Sequence, residues 1–295
     1  MVIKNGDEQR NLFVKASLMQ DRLLLIFFIQ VPPQSGNFKQ LFFESLPDDF
    51  YMFEREFYVY NLLRSLFKTV IEDQKQDPED ILDFFPIPLT SPGEMTFSRG
   101  MEEPLVFENL STLGYEMWKD EFEGVDFEHA NIAMKTYGKL HALGLVLHEA
   151  NILKDENLLK LLNMDITQSL FNKSGLERLD KGFKAFIIWM KDHHENEESI
   201  SKLEDQLRNR NYMKVMTEMF NEGKNHELQV VLHGDASSNN MLFKYDNQNK
   251  IPERSKLVDF QMSFFFTPFF DLAYFFMLSV SADVVIRNFT TLITR

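Results

Sequence analysis

The chain contains no cysteine among its 295 residues. Disulfide bonds and cysteine-ligated zinc are therefore excluded, and the composition is compatible with a reducing compartment, so we expect a cytoplasmic protein. Long apolar runs are also missing, because the most apolar run, residues 23–29, is far shorter than the roughly twenty residues that a membrane span requires. The N-terminus lacks the apolar core of a signal peptide, so we expect neither a secretory signal nor a membrane span.

Positive charge is in short supply. The chain has 31 Lys and Arg against 45 Asp and Glu, with a formal net charge of −14. The electrostatic field of such a negatively charged protein repels the phosphate backbone of nucleic acids, so we expect no nucleic-acid partner. Only seven His are present and no Gly-Asn-His run occurs, which disfavours a dinuclear metallophosphatase. A serine hydrolase is disfavoured as well, because the sequence has no Gly-x-Ser-x-Gly motif.

Two short apolar runs in the last third of the chain each lead into a polar motif. The first run ends in His-Gly-Asp at residues 233–235, with Asn240 five positions after Asp235, and the second ends in Asp-Phe-Gln at residues 259–261. Taken singly, Asp and Asn are common turn formers. Their order and spacing here match the catalytic loop and metal loop of a kinase. There, one carboxylate orients the attacking hydroxyl, while an amide and a second carboxylate hold Mg²⁺.

The order of predicted elements supports the same interpretation. We expect an Asn-Gly hairpin at residues 4–7, strands at 11–16, 22–31 and 105–107, helices at 50–67 and 126–148, a loop at 73–100, a charged helical region at 151–226 and a helical tail at 268–294. This order predicts a two-lobed α+β kinase-like fold. Its N-lobe would span residues 1–110, with a hinge at 105–110. Its C-lobe would span 111–295, with a catalytic loop at 233–240 and a metal loop at 259–261.

The motifs resemble those of the ecdysteroid kinase-like (choline kinase-like) family, which is related to aminoglycoside phosphotransferases. The specific matches are the H-G-D-x-x-x-N-N loop, the D-F-Q motif and the D-L-x-Y-F segment at residues 271–275. Weaker similarities are the F-x-x-E-x-x-x-Y helix at residues 53–60, the Leu-His-Ala core at 140–142 and a hinge that reads Glu-Asn-Leu at 108–110 instead of Glu-Asp-Leu. The similarity extends from about residue 12 to residue 294.

The resemblance implies roles for individual residues. Asp235 would be the catalytic carboxylate that positions the acceptor hydroxyl, and Asn240 and Asp259 would bind Mg²⁺ for the ATP cosubstrate. Glu108 and Asn109 would lie at the adenine hinge, where backbone groups make the contact. Two further residues have structural roles in this picture: His233 would brace the catalytic loop or be an ordinary buried histidine, and Asp271 would anchor that loop.

The phosphate-binding lysine is less clearly marked. The family pairs a strand lysine with a helix glutamate, here Glu56, to hold the phosphates. Two registers are open. In the one we favour, Lys15 is that lysine and residues 16–48 form a long connection. In the other, Gln30 replaces the lysine and activity is impaired, because a neutral amide supplies no charge.

These observations predict an ATP-dependent phosphotransferase that acts on a hydroxyl of a small molecule, such as an ecdysteroid or another apolar alcohol. No Gly-rich loop precedes Lys15 and the chain ends soon after residues 271–275, so we expect a kinase-like chain trimmed at both ends, with a shortened N-lobe. The alternative is a catalytically impaired kinase-like binding protein. The 30 Phe fit either a Phe-rich core or an aromatic-lined ligand pocket, and the sequence favours the core. We expect acceptor specificity to reside in residues 151–226.

Overall fold

A computed structural model describes most of the chain: residues 2–5, 8–15, 52–89, 105–119, 124–163, parts of 181–192, and then 197–209, 211–246 and 251–294. These residues form a mixed helix and strand architecture, so the predicted α+β class is confirmed. The strand predicted at residues 22–31 lies outside the described residues. In the described part of the chain, no helix is long and apolar enough to cross a membrane.

The described residues belong to two compact units. The first contains residues within 1–19, 51–164 and 228–295, and the second contains residues within 20–50 and 165–227. The strands of the described residues and the candidate site belong to the first unit. The two-lobe boundary near residue 110 stays a prediction.

A three-stranded antiparallel sheet begins the first unit. It consists of β1 (Val2–Asn5), β2 (Glu8–Lys15) and β3 (Leu105–Glu108), in that order. Asn5 pairs with Glu8. The predicted hairpin is present, but Asn5 is the last paired residue of β1, whereas an Asn-Gly turn would place Asn5 between the paired residues. Lys15 pairs with Leu105. The strand that ends at Lys15 is therefore the direct neighbour of the strand that leads to the predicted hinge.

The first helical segment runs further than the predicted residues 50–67. Helix α1 (Met52–Tyr58) continues through a π-helical stretch (Val59–Leu63) into α2 (Arg64–Asp73). The extension follows from burial, because the apolar face does not end at residue 67. Buried apolar residues along the segment include Phe57, Tyr60, Leu63, Phe67, Val70 and Ile71.

The loop prediction for residues 73–100 is wrong in part. Helix α3 (Pro78–Ile81) and a 3-10 turn (Leu82–Phe84) lie inside that range. The four prolines in the range suggested a loop, but Pro78 occupies the first turn of the helix, where proline is favourable. Asp77 caps this helix by accepting a 3.0 Å hydrogen bond from the Glu79 N–H.

Helix α4 (Phe127–Glu149) begins and ends close to the predicted bounds. Asp126 is its N-cap and accepts a 3.0 Å hydrogen bond from the His129 N–H. The first unit also contains a three-stranded sheet in the order β4 (Tyr115–Met117), β6 (Met241–Tyr245) and β7 (Pro252–Leu257). A separate two-stranded sheet pairs β5 (Val230–Val231) with β8 (Phe265–Phe266). The remaining helices of this unit are α5 (Glu156–Leu162), α8 (Phe269–Leu278) and α9 (Ala282–Thr294). Helices α8 and α9 confirm the helical tail predicted at residues 268–294.

The second unit is helical in its described residues, as predicted for residues 151–226. It contains α6 (Glu197–Asn209) and α7 (Asn211–Lys224). Ion pairs such as Lys202–Glu198 join exposed side chains of α6, so they contribute little to stability. Ile187 and Ile200 are among its buried residues.

Gly144 allows α4 to pack directly against β5. A Cβ at this position would lie 2.4 Å from the Val231 backbone N, whereas a Cβ at Gly138 of the same helix would meet no atom within 4 Å. We predict that Gly144→Ala lowers the free energy of unfolding by about 1–3 kcal/mol through overpacking. Gly138→Ala, the matched control, should raise it by up to about 1 kcal/mol, because alanine is the better helix former. Urea denaturation measures both, and equal effects of the two substitutions would contradict this packing.

Candidate active site

The loop that carries Asp235 follows directly from β5. Its first residue is tied to the neighbouring chain by a 2.9 Å hydrogen bond from the Leu232 N–H to the Phe264 carbonyl. Gly234 has a φ of 82°, and a Cβ there would lie 2.0 Å from the Met262 carbonyl oxygen. Only glycine therefore fits between His233 and Asp235 without displacing the backbone.

Asp271, in the first turn of α8, anchors this loop. Its fully buried carboxylate accepts hydrogen bonds from the His233 N–H at 2.8 Å and from the Gly234 N–H at 3.0 Å. A third contact of 2.9 Å joins Asp271 Oδ2 to Nε2 of His141 on α4, and His141 is the donor because a carboxylate can only accept. The anchoring role predicted for Asp271 is confirmed.

His233 braces the loop from its other side. Its Nε2 lies 2.9 Å from the Val258 carbonyl, which can only accept, so Nε2 carries the proton. Its Nδ1 then accepts a 3.3 Å hydrogen bond from the Asp235 N–H. Complete burial lowers the pKa of His233, against the opposing effect of Asp271. The ring is therefore a neutral structural link between the catalytic loop and the strand that leads to the metal loop.

Asp235 is buried with both carboxylate oxygens out of contact with solvent. Among the described residues, no group meets hydrogen-bonding geometry with either oxygen. Burial raises the pKa of Asp235 to about 8, and the negative charges of Asp259 and Asp271 act in the same direction. The Asn240 amide and the Tyr274 hydroxyl oppose this shift from nearby positions that fall short of good hydrogen-bonding geometry.

Asn240 is held so that its amide oxygen is the atom left to offer a ligand. Its Nδ2 donates a 2.9 Å hydrogen bond to the Asp235 carbonyl. The backbone carbonyl of Asn240 accepts a 3.0 Å hydrogen bond from the Val258 N–H. This bond lies at the end of the β6–β7 hairpin where Met241 pairs with Leu257. This hairpin brings the catalytic loop and the metal loop side by side.

Asp259 has a left-handed backbone conformation, with φ 67° and ψ 61°. Its N–H donates a 3.2 Å hydrogen bond to the hydroxyl of Tyr60, and the Gln261 amide donates to Asp259 Oδ2 at 3.4 Å. The ring of Phe260 packs with its centroid 4.7 Å from that of the His233 ring and 5.4 Å from that of the Tyr60 ring. The metal loop is thus fixed by polar contacts at Asp259 and apolar contacts at Phe260.

The residues of the two loops are chemically suited to Mg²⁺. Mg²⁺ prefers oxygen ligands and is commonly held by one or two carboxylates together with phosphate oxygens and water. Asp259 offers a carboxylate and Asn240 offers an amide oxygen, and the buried carboxylate of Asp235 lies in the same region. Within the described ranges, no cluster of three or more His, Cys, Asp or Glu side chains could hold a metal alone, so phosphate oxygens would have to complete the set.

The predicted nucleotide-binding residues lie on other elements. Glu56 is buried on α1, and its charge raises the pKa of Tyr60, as does that of Asp259, in addition to the larger effect of burial. Glu108 ends β3 with an exposed side chain. Asn109 uses its Oδ1 to accept a 3.1 Å hydrogen bond from the Ser111 N–H, so its side chain caps the following 3-10 turn.

Comparison with known proteins identifies the chain's relationship. A model of the ecdysteroid kinase-like family matches residues 20–295, which is more than half of the sequence. The chain belongs to the ecdysteroid kinase-like family. A search of curated proteins finds no significant match. Family membership indicates a kinase-like phosphotransferase of small molecules and is consistent with the observed α+β fold.

The match to the ecdysteroid kinase-like family leaves the choice of phosphate lysine open. Lys15 precedes the matched residues, whereas Gln30 lies within them but outside the described residues. The backbone position of Lys15, opposite Leu105 in the hinge strand, suits the first register. The pairing of Lys15 with Glu56 stays a prediction.

Three residues around the site were given no role from the sequence. Tyr274 lies three residues after Asp271 on α8, and its hydroxyl opposes the rise in the pKa of Asp235. Ser279, at the end of α8, accepts a 2.8 Å hydrogen bond from the Ser238 N–H of the catalytic loop. Arg55 donates to the Gln261 carbonyl at 3.0 Å. Tyr274 belongs to the D-L-x-Y-F motif and Arg55 lies inside the motif of the first helix, so both positions were marked, but Ser279 carried no sequence signal.

The burial of Asp235 predicts a pH-dependent cost to stability. The ordinary pKa of 3.8 rises to about 8 on folding, so between these pH values the unfolded chain is ionised while the folded chain keeps its proton. The contribution of Asp235 to the free energy of unfolding should therefore fall as pH rises from about 4 to about 8, by at most about 1.4 kcal/mol per pH unit. Asp235→Asn should remove this slope.

The measurement is urea denaturation at several pH values in EDTA, with the variant compared with the wild type. The advantage of Asp235→Asn over the wild type should grow from pH 4 to pH 8 and then level off. Asp73→Asn is the control, because it replaces an exposed carboxyl at the end of α2. A difference between Asp235→Asn and the wild type that stays constant with pH would show that folding does not shift the ionisation of this carboxyl.

Proposed function

We propose that this protein transfers the γ-phosphoryl group of ATP to a hydroxyl group of a small molecule. The observation that carries the proposal is that two adjoining loops bring together a buried carboxylate, an amide oxygen and a second carboxylate. Asp235 would be the catalytic residue, and Asn240 and Asp259 would bind Mg²⁺. Membership of the ecdysteroid kinase-like family supports this assignment.

The chemistry assigned to Asp235 is positioning and proton transfer. The acceptor oxygen forms a bond to the γ-phosphorus while the bond between that phosphorus and the leaving oxygen of ADP breaks. The acceptor loses its proton to the Asp235 carboxylate, which must be ionised at that moment. Mg²⁺ held by Asn240 and Asp259 would neutralise phosphate charge and also favour the ionised form of the nearby carboxylate.

We propose that the nucleotide is held by two further contacts. Lys15 and Glu56 would form the ion pair at the phosphates, and the backbone of Glu108 and Asn109 would contact the adenine. The pairing of β2 with β3 supports the first assignment, because it sets Lys15 next to the hinge strand. The closeness of Glu56 to Tyr60, and of Tyr60 to Asp259, supports a common site for phosphates and metal.

An ecdysteroid or another apolar alcohol is the acceptor class that we propose to test first. This choice rests on the description of the family and on fold-level analogy, which is weaker support than geometry. The described Phe side chains do not strengthen it, because many of them, such as Phe57, Phe84 and Phe243, are fully buried in the core. A panel of hydroxylated sterols and unrelated small alcohols would identify the acceptor.

We predict that Asp235→Ala lowers the rate of phosphoryl transfer by at least about a hundredfold, because the group that receives the proton is lost. Binding of ATP in the presence of Mg²⁺ should persist, since Asn240 and Asp259 remain. Transfer is measured with γ-labelled ATP and the acceptor panel, and binding is measured by calorimetry. Asp73→Ala, at an exposed carboxyl at the end of α2, is the matched control and should retain full turnover.

The results separate the candidate functions. Full turnover by Asp235→Ala would remove Asp235 from the catalytic role. A wild-type protein that binds ATP with Mg²⁺ but transfers phosphate to no acceptor would favour the alternative of an impaired kinase-like binding protein. A wild-type protein that neither transfers phosphate nor binds ATP would contradict both candidate functions.

A further inference from the structure

Asp259 has a left-handed backbone conformation at an unusual place in the fold. Three non-glycine residues in the described ranges have positive φ: Lys75, Asn151 and Asp259. Lys75 and Asn151 each lie two residues beyond the end of a helix, where this conformation commonly closes the last turn. Asp259 instead precedes a 3-10 turn, so no helix end accounts for its conformation.

A left-handed conformation at a non-glycine residue costs free energy, and the surrounding structure must hold it in place. Two contacts from the first helical segment do so from either side of Phe260. The Tyr60 hydroxyl accepts the Asp259 N–H at 3.2 Å, and the Arg55 guanidinium donates to the Gln261 carbonyl at 3.0 Å. Both side chains are buried, so water cannot readily replace either contact.

Each of these two side chains has a physical reason to stay where it is. Burying the Arg55 cation is costly unless it is hydrogen-bonded, and the Gln261 carbonyl is one of its partners. Tyr60 is packed by aromatic rings on several sides, with ring centroids 4.7 Å from Phe107 and 5.4 Å from Phe260. Its hydroxyl also lies near Glu56, the proposed partner of the phosphate lysine.

We propose that Tyr60 and Arg55 are positioning residues that hold Asp259 in its metal-binding conformation from the first helical segment. The inference rests on the proposed function, because it assigns the conformation of Asp259 to Mg²⁺ binding. It goes further by making metal affinity depend on the placement of α1. The segment that carries Glu56 and the loop that carries Asp259 are then coupled through direct hydrogen bonds.

Tyr60→Phe is the sharpest test, because it removes one oxygen and keeps the ring packing. Tyr58→Phe is a matched control: Tyr58 is equally buried on the same segment, and its hydroxyl lies near Asp155 and Asn157 and not at the metal loop. We expect Tyr60→Phe to raise the free Mg²⁺ concentration required for half-maximal ATP binding by about three- to tenfold, the size of one buried hydrogen bond. Tyr58→Phe should leave it unchanged.

A second readout does not depend on nucleotide or metal. Amide hydrogen exchange in the metal-free protein should become several-fold faster in the peptide that contains Asp259 for Tyr60→Phe, and should not change there for Tyr58→Phe. Arg55→Lys keeps the charge but loses the fork of donors, so it should show an intermediate loss of Mg²⁺ affinity. Circular dichroism verifies that each variant is folded, and Tyr60→Phe decides the matter if the Arg55 variant is not.

The outcomes distinguish the two levels of inference. Unchanged Mg²⁺ dependence and unchanged exchange in Tyr60→Phe would overturn the positioning role while leaving the proposed function intact. A wild-type protein whose ATP binding shows no Mg²⁺ dependence would overturn the proposed function and the metal-binding part of this inference. In that case, faster exchange in Tyr60→Phe would still show that Tyr60 holds the loop, but for a purpose other than metal binding.

Discussion

The Asp271 carboxylate accepts hydrogen bonds from two consecutive backbone N–H groups of the loop that carries Asp235 and from the His141 ring of α4. Buried backbone donors must be paired, and here one side chain pairs both without a regular strand or helix. The loop can therefore leave β5, turn through Gly234 and present Asp235 in an irregular but fixed conformation. The positions of the other site residues follow from this anchor, because His233 and Asn240 connect the same loop to Val258 and the metal loop.

The site concentrates carboxylates in a poorly solvated region, which is unfavourable for an isolated folded chain. Burial raises the pKa of Asp235 far above its ordinary value, and the negative charges of Asp259 and Asp271 act on Asp235 in the same direction. Asp271 offsets its own burial by accepting several hydrogen bonds, but Asp235 does not. Such a cost is typical of residues kept for function and not for stability. A bound divalent cation would relieve it, which fits the chemistry assigned to the two loops.

Local signals in the sequence were sufficient where a feature depends on neighbours in the chain. Asp126 marked the start of α4 and the spacing of the polar motifs marked the two loops, because caps, turns and loop motifs are local. Long-range contacts were not predictable. The hydrogen bond from Arg55 to Gln261 joins residues 206 positions apart, and Ser279 contacts the catalytic loop across 41 positions. Pro78 misled the prediction because proline both breaks helices and begins them.

Aromatic side chains pack around the metal loop and fix its position. Phe260 stacks on Phe85 at 4.9 Å and meets Tyr60 edge-on, while Tyr60 also contacts Phe107 of β3. Aromatic contacts of this kind contribute beyond the burial of area and favour defined ring orientations. The rings therefore set the distance between the first helical segment, the hinge strand and the metal loop, and the two hydrogen bonds set the direction of Asp259. Because the same Tyr60 side chain contributes both its ring and its hydroxyl, the apolar core and the polar site cannot shift independently.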